Sequence, residues 1–182
     1  ISAGSIRLLR YRIVAQPIGS SRLDSLRADG NTVVRPTPAG SPIVAAFPRP
    51  QQVLQRRYES GATCFVATVR SAFAGFIWFQ HGAYEEDEVR CRYVLTDPEH
   101  CVWDFDVYVE PAFRLGRTLA RLWAAVDAHL AGQGVTWSFS RISVFNAASI
   151  AAHARLGKSR QPPGQASEPE PRQRRHGNRP VG

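Results

Sequence analysis

Residues 103–157 read WDFDVYVEPAFRLGRTLARLWAAVDAHLAGQGVTWSFSRISVFNAASIAAHARLG and contain, in order, a strand, a turn, a long helix, a second strand and a second helix. The first strand is WDFDVYV, and Pro111 with the turn RLGR separates it from the long helix. This order brings a helix N-terminus, with its free backbone amides, next to the end of a strand. Such a helix start attracts negative charge, so the stretch predicts a site for a pyrophosphate.

Alternation along the first of these strands predicts which side chains share a face of the sheet. One predicted face carries Trp103, Phe105, Val107 and Val109, and the other carries Asp104, Asp106 and Tyr108. The preceding strand, Val89 to Leu95, is predicted to pair with this one around a turn at Pro98. That register places Arg92 opposite Asp104 and Arg90 opposite Asp106, so we expect cross-strand ion pairs.

The longest predicted helix, Arg114 to Ala131, has a single apolar stripe and ends at glycines. The stripe consists of Leu115, Leu119, Leu122, Trp123, Val126 and Leu130. The next strand, Val135 to Val144, changes the phase of its apolar residues at Arg141, which indicates a bulge or a twist. Asn146 is predicted to cap the last helix, which runs through Ile150 to Leu156.

The chain before residue 103 is predicted to consist of strands and short helices. The predicted strands are Ile6 to Ala15, Thr32 to Arg35, Ala62 to Val69, Phe73 to Gln80 and Val89 to Leu95, and the predicted helices are Ser20 to Arg27 and Pro48 to Ser60. The two strands joined around Arg70 to Ala72 form a predicted hairpin.

Composition and charge limit the classes of function. The 182 residues are 43% hydrophobic with a formal net charge of +8, and the segment from Lys158 carries six basic and two acidic residues, or +4. We expect residues 1–157 to form one domain and residues 158–182 to be a disordered basic tail rich in Pro and Arg. Scattered Cys64, Cys91 and Cys101 indicate reduced thiols in a cytoplasmic protein, and neither a metal cluster nor a membrane span is predicted.

The turn after the first strand resembles the acyl-CoA turn of the GNAT N-acetyltransferase superfamily. That family's pattern is Arg or Gln, two residues, Gly, one residue, then Gly or Ala. Here the turn consists of Arg114, Leu115, Gly116, Arg117, Thr118 and Leu119. Arg114 matches the pattern, but Arg117 and Leu119 stand where the family has small residues, and Gly116 comes one position early.

The helix that begins at Asn146 resembles the same superfamily more closely. The family's form is Asn, two residues, Ala, three residues, Tyr, one residue, Lys, one residue, Gly. Asn146 and Gly157 match, Ser149 and Arg155 are conservative changes, and His153 replaces the Tyr. The two motifs are separated by one helix and one strand, as in the family, and the resemblance spans about Ala62 to Gly157.

The resemblance implies an α/β (α+β) fold with a mixed, mostly antiparallel twisted sheet flanked by helices. The family closes this sheet with a final strand pair, but Lys158 begins the apolar-poor tail here. We therefore expect an incomplete C-terminal end, whether through a frameshift or truncation or as a natural tail on a shortened fold.

The resemblance also implies acetyl-CoA as co-substrate and a set of site residues. The implied cofactor contacts are the backbone of Val107 and Val109, the turn residues Arg114, Leu115, Gly116, Arg117, Thr118 and Leu119, and Asn146 and Ser149. His153 is the implied proton donor to the departing thiolate, Asp104 and Asp106 are candidates to accept the amine proton, and Tyr108 is a candidate to line the acceptor site. Each of these four has an ordinary structural alternative, such as an ion pair or a surface position.

The expected function is transfer of an acetyl group from acetyl-CoA to an amine of a small molecule or peptide. The alternative is a catalytically weak or inactive GNAT-fold protein that binds CoA or a partner. A nucleic-acid-binding role for Arg172 to Arg179 is disfavoured because aromatic residues are not interleaved among these arginines. We expect a monomer or a homodimer.

Overall fold

The computed structural model describes residues 10–19, 30–86, 91–147, 149–151 and 170–171. The strands are β1 (Tyr11–Pro17), β2 (Thr32–Pro36), β3 (Thr63–Val69), β4 (Ala72–His81), β5 (Ala83–Glu85), β6 (Cys91–Val94), β7 (Cys101–Val109), β8 (Trp137–Ser143) and β9 (Glu170–Pro171). The helices are α1 (Gln51–Glu59) and α2 (Thr118–Gly132), with 3₁₀ turns at Pro42–Ala46 and Pro111–Phe113.

A six-stranded sheet runs through the described part of the chain in the order β1-β8-β7-β4-β3-β2. Neighbouring strands are antiparallel except β7 and β8, which are parallel because α2 connects them as a crossover. A second, small sheet has the order β5-β6-β9. The predicted mixed, mostly antiparallel sheet is therefore confirmed.

Strand β4 is buried on both faces, which explains why its sequence AFAGFIWFQH is apolar without alternation. Ile77 and Phe79 lie on the face covered by α2, and Phe76 and Trp78 lie on the face covered by α1. The predicted apolar stripe of α2 packs on the sheet through Leu119, Leu122, Trp123, Val126 and Leu130. Leu115 is the exception, because the helix begins only at Thr118 and Leu115 is fully exposed.

The hairpin of β3 and β4 is confirmed, with Val69 paired to Ala72. Arg70 and Ser71 form its two-residue turn and both have positive φ, of 49° and 67°. This sign of φ is the one that matches the twist of the flanking strands. The predicted helix Ser20 to Arg27 and the end of the predicted last helix, from residue 152, lie outside the described residues. The other predicted elements are present within a few residues of their predicted bounds where these are described.

The predicted pairing of β6 with β7 is wrong. β7 is flanked by β4 and β8, and β6 pairs instead with β5 and β9. Arg92 is therefore not opposite Asp104, and its guanidinium lies 3.7 Å from Glu85. The alternation of apolar residues in β6 did not distinguish between these two partners. Arg90 lies outside the described residues.

The free edge of β8 is covered by the N-terminal strand. β1 runs antiparallel to β8 from Tyr11 opposite Ser143 to Pro17 opposite Trp137, without a register shift. The predicted bulge at Arg141 is therefore not in this pairing. In the tail, Glu170 and Pro171 pair with β6. The other tail residues lie outside the described part of the chain, so the expected disorder of residues 158–182 stays a prediction.

Candidate functional site

The parallel strands β7 and β8 separate halfway along their length. They pair from Cys101 opposite Trp137 to Asp104 opposite Ser140. Beyond this rung β7 continues to Val109 beside β4, and β8 continues to Ser143 beside β1. The two strands therefore enclose a slot, and along it the edge of β7 that faces β8 has no ladder partner in β8. Such an edge can accept an extended ligand as an added strand.

A bulge in β7 follows directly after Asp104, the last residue of β7 that pairs with β8. Trp78 pairs with Phe105 and Phe76 pairs with Tyr108, so β7 contains one residue more than β4 between these rungs. Asp106 within the bulge has a positive φ of 48°. A bulge of this kind bends the strand and increases its twist. A bulge or twist was predicted in β8, but the bulge is in β7, where it interrupts the regular pairing with β4.

The bulge also overturns the predicted sharing of faces along β7. Val107 and Val109 pack on the side of the sheet that α2 covers. Asp104 belongs to the same side, because it pairs with Phe79, which also packs there. Tyr108 packs with Phe105 on the α1 side. Strict alternation failed because the extra residue reverses the phase after Phe105.

We predict that Gly75→Ala lowers the free energy of unfolding by about 1–3 kcal/mol, because the added carbon is forced against the bulged strand. A Cβ at Gly75 would clash with the Tyr108 carbonyl oxygen and would lie 3.1 Å from Val109 Cα. Denaturant unfolding followed by fluorescence measures the change. Gly40→Ala is the matched control, because its Cβ meets nothing within 4 Å. Equal stability of the two variants would contradict the close approach of β4 and β7.

Asp104 joins the two strands at their last common rung. Its carboxylate accepts hydrogen bonds from the hydroxyl groups of Ser138, at 2.6 Å, and Ser140, both on β8. The Asp104 residue is only 3% exposed. Two neutral hydroxyl donors replace the predicted partner Arg92, and they could not be identified from the sequence because they lie more than 30 residues away.

Asp106 is bound by two arginines that the sequence did not associate with it. Arg49 donates through Nε to Asp106 Oδ2 at 2.8 Å and through Nη2 to Oδ1, and Arg57 donates through Nη1 to Oδ2. Arg49 precedes α1 and Arg57 lies within it. An ion pair was expected at Asp106 and one is present, but its partners are Arg57 of α1 and Arg49, which precedes α1.

A small cavity of about 80 Å³ lies where the strands separate, and it brings Asp104 and Asp106 together. Its lining consists of Tyr84, Trp103, Asp104, Phe105, Asp106 and Arg141. Arg141 forms a buried ion pair with Glu86, with Nη2 2.5 Å from Oε1. Burial alone lowers the pKa of Arg141, but the charge of Glu86 and the Tyr11 hydroxyl outweigh it and raise that pKa, so Arg141 stays charged. Tyr108 is not part of this lining.

The predicted pyrophosphate turn lies at the end of β7. A 3₁₀ turn at Pro111–Phe113 is followed by exposed Arg114, Leu115, Gly116 and Arg117, and α2 then begins without a side-chain cap. The amides of the first turn of α2 have no partner within the helix, and the helix dipole adds positive potential there. Arg114 Nε donates to the Val109 carbonyl oxygen at 2.9 Å, which fixes the arginine against the strand end.

Solved structures have a similar fold. A functionally unknown conserved protein from Staphylococcus epidermidis has a TM-score of 0.52 at 16% identity over 83% of this chain and 59% of its own. A protein described as an acetyltransferase of the GNAT family, from Novosphingobium aromaticivorans, has a TM-score of 0.52 at 18% identity over 84% and 62%. AAC(6')-Iy, in complex with the bisubstrate analogue CoA-S-monomethyl-acetylneamine, has a TM-score of 0.53 at 18% identity over 71% and 91%.

The chain has the GNAT fold. TM-scores of 0.52 to 0.53 show a common fold, while identities of 16 to 18% are too low to show a common activity. The chain spans about three fifths of the first two of these structures. No protein-family model matches the sequence, and the search of curated proteins found no match.

Asn146 caps the start of the helix that follows β8, as the sequence predicted. Its side-chain oxygen accepts a hydrogen bond from the Ser149 amide at 3.0 Å, and its carbonyl accepts one from Ile150. This is the geometry of an N-cap. The implied proton donor His153 lies outside the described residues, so its role stays a prediction.

Two of the thiols are unsuited to form a covalent intermediate. Burial raises the pKa of the Cys64 thiol, and burial followed by the charge of Asp97 raises that of Cys101. Both thiols are therefore protonated at neutral pH, whereas the thiolate is the nucleophile. Among the described residues no cluster of His, Cys, Asp and Glu is arranged to hold a metal ion, and no helix there is long and apolar enough to cross a membrane.

Proposed function

We propose that this protein is an acyl-CoA-dependent N-acyltransferase that moves an acetyl group from acetyl-CoA to an amine. The observation that carries the proposal is the slot between parallel β7 and β8, which opens directly toward the N-terminal turn of α2. A slot with an unpaired strand edge suits the pantetheine arm, and an uncapped helix start suits the pyrophosphate. The shared fold with acetyltransferases supports this assignment.

The cofactor half of the site uses backbone more than side chains. Val107 and Val109 lie on the edge of β7 that has no ladder partner in β8, with the Val109 carbonyl oxygen bound by Arg114, while residues 114–119 present the turn and the first amides of α2. Arg114 and Arg117 add exposed positive charge close to the proposed pyrophosphate. Asn146 and Ser149 begin the helix on the far side of the slot, after β8.

The acceptor half contains the two carboxylates at the small cavity. In the proposed step the amine nitrogen attacks the thioester carbonyl carbon, the carbon–sulfur bond breaks, and the amine loses a proton. We assign Asp104 to take that proton, because Asp106 accepts three hydrogen bonds from the guanidinium groups of Arg49 and Arg57, which hold it in place. His153 is proposed to protonate the departing thiolate. Tyr108 stacks on Phe73 and is proposed to border the acceptor.

Direct transfer fits the buried thiols of Cys64 and Cys101. A covalent acyl-enzyme requires an activated nucleophile, and the raised pKa values of Cys64 and Cys101 oppose that. The reaction then depends on positioning of two substrates in one slot. The three free cysteines also suit a reducing compartment, so we place the protein in the cytoplasm.

A specific observation favours a second function, that of a GNAT-fold protein that binds CoA without turnover. Leu115 is fully exposed within the turn, and Arg117 and Leu119 stand at positions where small residues let backbone and phosphate approach closely. Binding with a longer approach distance would leave the thioester out of line with the acceptor.

Thermal melting with and without acetyl-CoA tests the proposal. Acetyl-CoA at about 100 times its Kd should stabilise the protein by roughly 2.7 kcal/mol. Gly116→Glu should abolish the shift, because it places negative charge in the turn, whereas Gly40→Glu, at an open surface position, should keep it. The same melting experiment with ATP in place of acetyl-CoA is a control, because a basic chain attracts any polyphosphate. No shift contradicts both functions, and a shift without CoA release over an amine panel favours the second.

A further inference from the structure

Arg49, Arg57 and Asp106 form a cluster on the α1 face, called here the arginine–aspartate cluster. Both guanidinium groups bind the single carboxylate, and Arg49 also donates to the Pro48 carbonyl oxygen at 2.7 Å. Side chains of Arg57 and Asp106 are 13% exposed, and that of Arg49 is 29% exposed. The cluster is therefore largely removed from water but is reachable through Arg49.

Aromatic rings fix the orientation of both guanidinium groups. Arg49 lies 5.5 Å from the ring centres of Phe76 and Tyr108. Arg57 lies 5.4 Å from that of Trp78 and 5.3 Å from that of Phe105. A guanidinium stacked in this way keeps its planar set of donors in one direction, which is what recognition of a carboxylate requires.

The charges of the cluster do not cancel. Two guanidinium groups share one carboxylate, which leaves one positive charge among the described residues that form it. A half-buried charge without a partner is unfavourable, so the cluster is suited to a second anion. An arginine has five N–H donors. Arg57 donates one of these, from Nη1, to Asp106. Donors thus remain for an incoming carboxylate.

The cluster adjoins the proposed reaction cavity through Asp106. The residue that binds Arg49 and Arg57 also lines the cavity where β7 and β8 separate, together with Phe105. An anionic group held by the arginines would therefore lie close to an amine in that cavity. A polycationic acceptor would instead meet two guanidinium groups at the same place.

We propose that the acceptor amine carries a carboxylate group, which Arg49 and Arg57 bind while the amine reacts in the cavity. This inference rests on the proposed acetyl transfer. It predicts an acceptor of the amino-acid class.

Matched acceptor pairs test this inference. The wild-type kcat/KM for acetyl transfer is compared between phenylalanine and phenethylamine, histidine and histamine, and serine and ethanolamine, with phosphoethanolamine and spermidine as further arms. We expect each amino acid to exceed its decarboxylated partner by about tenfold or more, the effect of one charge-assisted hydrogen bond. Equal values within pairs, or a preference for phosphoethanolamine or spermidine, would overturn the assignment.

Variants separate substrate binding from a purely structural clamp. Arg49→Gln should raise KM for the amino acids roughly tenfold or more and change it less than about twofold for the decarboxylated amines. Arg49→Lys should recover part of the loss, and Arg56→Gln, at the exposed neighbouring position of α1, should have no effect. Equal losses for both members of a pair would mean that Arg49 only holds the bulge, and would refute the inference.

Failure of the inference can be told from failure of the proposed function. A thermal shift with acetyl-CoA together with transfer to amines that lack a carboxylate refutes the inference alone. Absence of both the shift and any transfer refutes the proposed function, and the inference with it.

Discussion

Replacing Asp104 with asparagine should lower kcat for acetyl transfer about 100-fold or more, the usual contribution of a positioned general base. Asparagine has nearly the same shape and can still meet Ser138 and Ser140, but it cannot accept the proton of an ammonium group. The residual rate should rise more steeply with pH than that of the wild type, because only amine that is already deprotonated can then react. Steady-state kinetics across pH, with acetyl-CoA saturating, measures both effects.

Two controls distinguish this role from the structural one. Ser138→Ala and Ser140→Ala each remove a hydrogen bond that joins β7 to β8 but keep the carboxylate. Each should retain most of the turnover, and Asp104→Asn should keep the thermal shift with acetyl-CoA. If the serine variants lose as much activity as Asp104→Asn, the carboxylate serves to hold the strands and another group takes the proton.

Replacing Arg141 with alanine should lower the free energy of unfolding by about 3–5 kcal/mol, as expected when one partner of a buried ion pair is removed. Glu86, which is 6% exposed, would lose the guanidinium whose Nη2 is 2.5 Å from its Oε1. Arg141 also lies 3.7 Å from the ring centre of Tyr11, so its loss weakens the contact between β8 and β1. Urea unfolding gives the change.

The double variant Glu86→Gln with Arg141→Met is the matched control. It removes both charges, and it should recover much of the stability because no buried charge is left without its partner. A small loss in Arg141→Ala, of the size seen for surface ion pairs, would show that Glu86 reaches water when Arg141 is absent. Recovery in the double variant and loss in the single variant together establish that the pair is buried in solution.

Local pattern was sufficient for most elements of this fold. The hairpin of β3 and β4, helices α1 and α2, and the cap at Asn146 each depend on residues within a few positions of one another, and all are present. The GNAT fold followed from two such local motifs at the right separation. The start of α2 was misplaced by one turn, since Leu115 fits the apolar periodicity but precedes the helix.

Partners across the fold could not be predicted in the same way. Alternation assigned Asp104 and Asp106 to one face with arginines opposite, whereas Asp104 meets serines of β8 and Asp106 meets Arg49 and Arg57. The bulge that reverses the phase depends on how β4 and β7 approach at Gly75, and one extra residue in a strand leaves no distinctive signal in its sequence.

The sequence by itself thus determined the order of elements, the helix start beside a strand end and the resemblance that names the fold, because these are written in short-range periodicity and turn residues. Only the tertiary structure decided where β7 and β8 separate, which groups surround the two carboxylates, and that β1 covers the edge of β8. The physical reason is that hydrogen-bond partners, ion pairs and strand neighbours are chosen by the packing of segments far apart in the chain.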